Sequence, residues 1–235
     1  MARHMEREIE RLKKMILSLS AFVEEDVERA VRSVAERDTE LAQGVIGADP
    51  DIDRTEVDVE EECLKILALH QPVAIDLRFI VAVLKINTDL ERIGDLAVNI
   101  AERAVFLNAQ PEVPTPFDFP GMARKARAML RRSLDALVTM NAEIAWQVCA
   151  ADDEVDEINR KMYVQVEDGI RQHPDQIDSL IHMLSISRHL ERIADHATNI
   201  AEDVIYMIDG DIVRHRTEQY LKKESASLGP ERRSP

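Results

Sequence analysis

The chain has 235 residues, of which 45% are hydrophobic and only 4% aromatic, with seven glycines and nine prolines. This composition favours helices over sheets, and the length is sufficient for one or two domains with a buried core. The formal net charge of −15 argues against nucleic acid as a partner, because phosphate backbones bind to basic surfaces.

The first residues of the sequence, its lack of a long apolar run and its cysteines predict a cytoplasmic protein. The first residues, MARHMEREIERLKK, are too charged for a signal peptide, and no apolar run is long enough to cross a membrane. Cys63 and Cys149 lie within helical patterns and lack the spacing of a metal finger or a CxxC motif. We interpret them as small core residues in a reducing compartment.

The spacing of apolar residues predicts six helices, at about 5–36, 39–70, 74–109, 120–139, 141–172 and 175–208. Pro50 predicts a kink or a restart in the second helix, because proline is tolerated only in a first helical turn. A proline-rich stretch without helical period separates the third and fourth helices. The predicted organisation is a first unit at 1–109, a linker at 110–121, a second unit at 122–210 and a tail at 211–235.

The two units repeat each other. Residues 84–102, LKINTDLERIGDLAVNIAE, match residues 184–202, LSISRHLERIADHATNIAE, at 12 of 19 positions. Upstream residues recur at an offset of 103, and these include Asp49 with Asp152 and Asp53 with Asp156. Repetition at nearly constant spacing is typical of internal duplication. The predicted fold is therefore all-α, with two tandem three-helix bundles related by that duplication.

Repeated polar residues on the third helix of each unit predict a metal site. At about 100° per residue they fall on the side opposite the apolar stripe, which predicts an outward-facing ladder of oxygen ligands. Like charges four residues apart destabilise a helix by about 0.2–0.5 kcal/mol, and a bridging cation such as magnesium, calcium, manganese or iron would remove this repulsion. A solvated face preserved by the duplication is the alternative. The residues of the ladder are Glu91, Asp95, Asn99 and Glu102, and Glu191, Asp195, Asn199 and Glu202.

Asp53 and Asp156 occupy matching places on the second helix of each unit. They could complete a neighbouring metal site or cap the start of a helix, and the pattern favours capping.

Catalytic motifs are absent from the sequence. It contains no glycine-rich phosphate loop, no GxSxG, no HExxH and no Cys–His pair with catalytic spacing. We therefore predict that the protein is not an enzyme.

Two segments carry a resemblance to a known family. HQPVAIDLRFIVAVLKINTDLERIGDLAVNIAERA and HLERIADHATNIAEDVIY resemble the hallmark of the PhoU family, and the resemblance extends from about residue 5 to 215. It implies two tandem three-helix bundles, often homodimeric, with one metal-associated E/D-x-x-x-D motif in each bundle. In this sequence the motif falls on Glu91 and Asp95 and on Glu191 and Asp195, extended by Asn99 and Asn199.

The resemblance also implies a function. PhoU-like proteins are cytoplasmic and reach the inner face of the membrane through partners. They repress the phosphate-starvation response and restrain phosphate uptake by coupling a phosphate ABC transporter, through its ATPase subunit, to a sensor histidine kinase. The implied metal is divalent or trivalent: iron, magnesium, manganese or zinc. A metal-storage or metal-dependent hydrolytic protein, and a scaffold with incidental metal, are the competing hypotheses.

Overall fold

The computed structural model describes residues 2–112, 118–210 and 212–213 and contains six long α-helices. Their bounds lie within three residues of the predicted ones. A short 3₁₀ turn, Pro174–Gln176, precedes the last helix. The helices are α1 Ala2–Ala35, α2 Thr39–His70, α3 Ala74–Asn108, α4 Phe119–Thr139, α5 Ala142–Gln172 and α6 Ile177–Asp209.

The predicted boundaries differ from the structure at two places. The helix α4 begins at Phe119, so the last three residues of the predicted linker, 110–121, are helical. The helix α2 runs unbroken through Pro50, so the restart predicted there does not occur. Val45 and Ile52 are buried on either side of this proline, and their packing holds the helix together across it.

Side-chain caps start three of the helices. The Asp38 carboxylate accepts a hydrogen bond from the backbone N–H of Leu41 (2.9 Å), and Asp118 accepts one from Gly121 (2.9 Å). The Asn141 side chain accepts hydrogen bonds from the first turn of α5 in the same way. These caps satisfy N–H groups that have no partner within the helix, which fixes where each helix begins.

The helices form two layers. In the first layer α2, α3, α6 and α5 pack side by side in that order. In the second layer α1 packs against α2 and α3, α4 packs against α5 and α6, and α1 also contacts α4. Each half is thus a three-helix bundle, and the two bundles meet along α3 and α6.

The core is aliphatic and centred on α3 and α6. Matching positions of the two helices are almost completely buried, as expected for the faces around which each bundle closes. They are Ile86, Leu90, Ile93 and Ile100 on α3, and Ile186, Leu190, Ile193 and Ile200 on α6.

Candidate metal centres and the seam between the bundles

Five carboxylates lie close together between α2 and α3 in the first half. We call them acidic cluster I, and they belong to Asp49, Asp53, Glu56, Glu91 and Asp95. The pKa of Glu91 is raised by burial and then by the neighbouring charges of Asp95, Glu56 and Asp53. The pKa of Asp49 is raised by burial and by Asp53 and Asp95. These mutual effects place side chains of both helices in one electrostatic site.

Acidic cluster II is the counterpart between α5 and α6, formed by Asp152, Asp156, Glu191 and Asp195. Burial raises the pKa of Asp152 to about 6, with further contributions from Asp195 and Asp156. Partial desolvation by the surrounding side chains also raises the pKa of Asp195 to about 6, although the residue keeps an exposed surface, and the charges of Glu191 and Asp156 contribute next. Ionising these carboxylates in the folded protein is therefore unfavourable in free energy. A cation bound among them would reduce that penalty.

Asp152 has one oxygen without a partner. Its Oδ1 is shielded from solvent and accepts no hydrogen bond within the described residues. The Thr198 hydroxyl lies close enough to lower the pKa of Asp152, but not in hydrogen-bonding geometry. A shielded carboxylate oxygen without a donor is suited to a cation.

The structure corrects the prediction that all the repeated polar residues face outward. Asp95, Asp195 and Glu102 are exposed, and Glu91 and Glu191 are half-buried. Glu202, in contrast, is only 8% exposed, because it lies where α6 meets α3 and lines a small cavity of about 180 Å³ together with Lys85. A helical wheel of α6 identifies which residues lie opposite the core of their own bundle. It does not show that the other bundle covers part of that opposite side.

The two predicted asparagine ligands use their amide groups differently. Asn99 donates from Nδ2 to the backbone oxygen of Asp95 (2.8 Å) on its own helix. Asn199 donates from Nδ2 to Oδ1 of Asp89 (3.3 Å), across the seam between the bundles. In both residues the side-chain carbonyl oxygen is the atom that could face a metal ion.

Asp53 and Asp156 do not cap helices. Both lie in the interior of their helices, because α2 starts at Thr39 and α5 at Ala142. They approach Glu91 and Glu191, respectively, and raise the pKa of these glutamates. The capping interpretation is therefore wrong, and the helices bring both aspartates into the acidic clusters.

Sequence reasoning missed Asp49, Asp152 and Glu56 as members of the clusters. Asp49 and Asp152 lie four residues before Asp53 and Asp156 and belong to the same repeat. The signal that could have found them is this spacing, because residues four apart share a helix face. Glu56 has no acidic counterpart in the second half, where Asn159 stands instead.

A buried polar contact joins the bundles beside cluster II. Asp89 on α3 is 5% exposed, and its Oδ1 lies 2.8 Å from Nδ1 of His196 on α6. The same oxygen accepts the hydrogen bond of Asn199. Nothing in the sequence points to Asp89, because His189 occupies the matching place in the second half.

The other two histidines of α6 also face α3 or its surroundings. His182 stacks on Phe106 with ring centroids 3.8 Å apart, and burial lowers its pKa. His189 lies 3.2 Å from the Ser185 hydroxyl, and burial together with Arg103 lowers its pKa to about 4. Burial therefore favours the neutral form of both residues, which belong to the packing of the seam.

The chemistry of both clusters fits a hard cation, but the side chains are not already arranged around one. Carboxylate oxygens, with an amide oxygen nearby, are the ligands that magnesium, manganese and iron take. Within the described ranges, no three His, Cys, Asp or Glu side chains stand in an arrangement that could hold a metal ion. Binding would therefore require the carboxylates to turn toward a common point.

The helices themselves show no membrane-spanning segment. None of those in the described part of the chain is both long and apolar enough to cross a bilayer.

Comparison with known proteins gives matches over both halves. The family model described as the PhoU domain matches residues 16–104 and 119–204. A protein of Aquifex aeolicus named phosphate-specific transport system accessory protein PhoU homolog is 36% identical over 218 residues, which cover 93% of this chain and 97% of that protein. A Pseudomonas aeruginosa protein of the same name is 35% identical over 92% of this chain and 90% of its own length.

Solved structures show the same architecture. The crystal structure of PhoU from Pseudomonas aeruginosa superposes with a TM-score of 0.86 at 35% identity, covering 88% of this chain and 99% of that chain. The phosphate transport system regulatory protein PhoU from Streptococcus pneumoniae superposes with a TM-score of 0.78 at 29% identity, covering 89% and 99%. The prediction of two tandem three-helix bundles is confirmed.

Proposed function

This chain is a member of the PhoU family, and we propose that it is a non-enzymatic accessory regulator of phosphate transport. The observation that carries the proposal is that both halves of the chain, and most of its length, match the family. Both bundles fit the family model, and relatives about as long as this chain are named phosphate-specific transport system accessory proteins.

The proposed mode of action is an adaptor between two partners at the inner face of the membrane. One partner is the ATPase subunit of a phosphate ABC transporter, and the other is a sensor histidine kinase. When phosphate is plentiful, the adaptor, acting as a cytoplasmic homodimer, holds the kinase in its repressing state and restrains uptake. Such a switch requires that a ligand or partner binds the competing complexes with different affinities.

We further propose that clusters I and II bind divalent or trivalent metal ions. The support is the donor chemistry and the raised pKa values of Glu91, Asp152 and Asp195, which arise first from burial and then from the charges of neighbouring carboxylates. A bound cation would neutralise this charge and tie α2 to α3 and α5 to α6. The candidate ligands are Asp49, Asp53, Glu91, Asp95 and Asn99 in the first half, and Asp152, Asp156, Glu191, Asp195 and Asn199 in the second.

The regulatory role is tested by deleting the gene and growing the cells in abundant phosphate. We expect constitutive alkaline phosphatase and transporter expression together with increased phosphate uptake, all restored by the intact gene. Unchanged expression and uptake in the deletion strain would overturn the proposal.

The metal sites are tested by elemental analysis of purified wild-type protein and of the double variant Asp95→Ala/Asp195→Ala. Exposed aspartates outside the clusters provide the matched control, Asp58→Ala/Asp135→Ala. Metal content should fall in the first variant only. If phosphate repression is lost with the metal, the clusters are regulatory sites. If repression survives, the metal is structural, and the partner-binding surface lies elsewhere.

A further inference from the structure

The helix α4 carries a basic face on an otherwise acidic protein. Between residues 119 and 134 it contains no aspartate or glutamate, although the whole chain has a net charge of −15. Four of its five cations are exposed, and one is half-buried. The five are Arg124, Lys125, Arg127, Arg131 and Arg132.

Three of these cations have partners, and two do not. Lys125 pairs with Glu154, and Arg132 donates to Gln147, both on α5. Arg127 pairs with Glu28 on α1 at 2.9 Å. Arg124 and Arg131 make no ion pair or hydrogen bond within the described residues.

The unpaired arginines lie along a groove between α1 and α4 with a volume of about 350 Å³. Buried Val27 and Leu130 contribute apolar surface to it. Arg124, Arg127 and Arg131 follow one another at intervals of three and four residues, so they project from the same side of α4. At 1.5 Å per residue, the first and last of them are about 10 Å apart along the helix.

The duplication shows that the fold does not require arginines here. The left-handed residues that end α1 and α4, Arg37 and Met140, are 103 residues apart. At this offset the groove arginines correspond to residues of α1 that are neutral or acidic: Ala21, Glu24 and Glu28. The ion pair with Glu28 on α1 accounts for the presence of Arg127 on α4. Arg131 has no such explanation, because Glu24 of α1 lines the groove without bonding to it.

We propose that the groove between α1 and α4 binds an oligophosphate anion, free or as part of a nucleotide. Guanidinium groups match phosphate oxygens in pairs, and two unpaired ones are available without breaking an existing contact. Their separation along the helix fits a chain of two or three phosphates better than a single phosphate. The volume lies at the lower end of the range for small-molecule sites. The site belongs to the α1–α4 layer and does not depend on the metal clusters.

The test is calorimetric titration of the full-length, chelator-treated protein with tripolyphosphate, orthophosphate and ATP. Tripolyphosphate should bind about tenfold more tightly than orthophosphate, and Arg124→Gln/Arg131→Gln should weaken its binding by about tenfold or more. Glu24→Gln should tighten binding, because it removes a negative charge from the groove. ATP binding tighter than that of tripolyphosphate would identify a nucleotide as the ligand, because the nucleoside then adds contacts, and equal or weaker ATP binding would identify the phosphate chain alone.

Two controls make the result decisive. Lys161→Gln/Arg171→Gln removes two exposed cations from α5 and should change the affinity by less than about twofold. Asp95→Ala/Asp195→Ala should still bind tripolyphosphate, which shows that the anion is not held through metal. The proposal is overturned if no binding occurs at millimolar tripolyphosphate, or if the α5 variant loses as much affinity as the groove variant.

Discussion

Asp89 and His196 face each other across the seam between the two bundles, with 2.8 Å between Asp89 Oδ1 and His196 Nδ1. Both residues are less than one-tenth exposed. Because the same carboxylate oxygen also accepts a hydrogen bond from Asn199, this one residue of the first half satisfies two polar groups of the second. A carboxylate in this position fixes how α3 and α6 pack.

Replacing Asp89 by alanine should destabilise the protein. The change leaves buried His196 and half-buried Asn199 without their acceptor, so the free energy of unfolding should fall by about 1–3 kcal/mol. Asp135→Ala removes an exposed carboxylate from α4 and should cost less than about 0.5 kcal/mol. Urea unfolding followed by circular dichroism measures both values. Equal losses would show that the contact across the seam contributes nothing.

The stability of the metal-free protein should depend on pH through the carboxylates of acidic cluster II. The folded state raises the pKa of Asp152 and Asp195 from about 3.8 to about 6, so it binds protons more tightly than the unfolded chain. The contribution of these groups to stability therefore decreases as the pH rises from about 4 to about 6, and their full cost is present above that range. Asp152→Asn/Asp195→Asn should raise Tm more at pH 7 than at pH 5. A gain in Tm that is the same at both pH values would contradict the raised pKa values.

The left-handed residues after α1 and α4 provide a matched pair of substitutions. Met140 has φ 50° and is 47% exposed, so Met140→Gly should relieve backbone strain and stabilise the fold by about 0.5–1 kcal/mol. Arg37 has φ 54°, but its guanidinium donates to the backbone oxygens of Leu107 (3.0 Å) and Asn108 (3.2 Å) at the end of α3. Arg37→Gly relieves the same strain but removes these bonds, so it should not stabilise. Thermal unfolding of the two variants compares them directly, and an equal gain would show that the Arg37 bonds are dispensable.

The two thiols should be unreactive in the folded protein. Burial raises the pKa of Cys63 and of Cys149 to about 12, so almost no thiolate is present at pH 8. Alkylation by a maleimide should therefore proceed only as fast as the protein opens, and it should become rapid in denaturant. Fast labelling of either thiol under native conditions would show that its helix opens locally.

Most of the fold could be predicted from the sequence because the helices are long, periodic and repeated. Apolar spacing along α3 and α6 marks the face around which each bundle closes, and prolines and polar caps mark the helix ends. Of the kink or restart predicted at Pro50, the restart does not occur, because Val45 and Ile52 pack into the core on either side of the proline.

The candidate metal centres could be predicted in part. Spacing along a single helix places Glu91 beside Asp95, but it does not show which residues of α2 approach them. For that reason the sequence pattern favours a cap at Asp53 and does not identify Asp49 as a neighbour of the site. The burial of Glu202 and the role of Asp89 depend on the contact between α3 and α6, which brings together residues about 100 positions apart. Periodicity within one helix carries no information about such a pair.

The asymmetry of the seam makes the two halves complementary rather than interchangeable. A chain built from two copies of the first half would place Asp89 opposite Leu96, the counterpart of His196, so the buried carboxylate would lose its imidazole partner and keep only the amide of Asn99, the counterpart of Asn199. Two copies of the second half would set His196 against His189, the counterpart of Asp89. After the duplication, each half thus became the dedicated partner of the other, in the manner of a heterodimer whose subunits are joined in one chain.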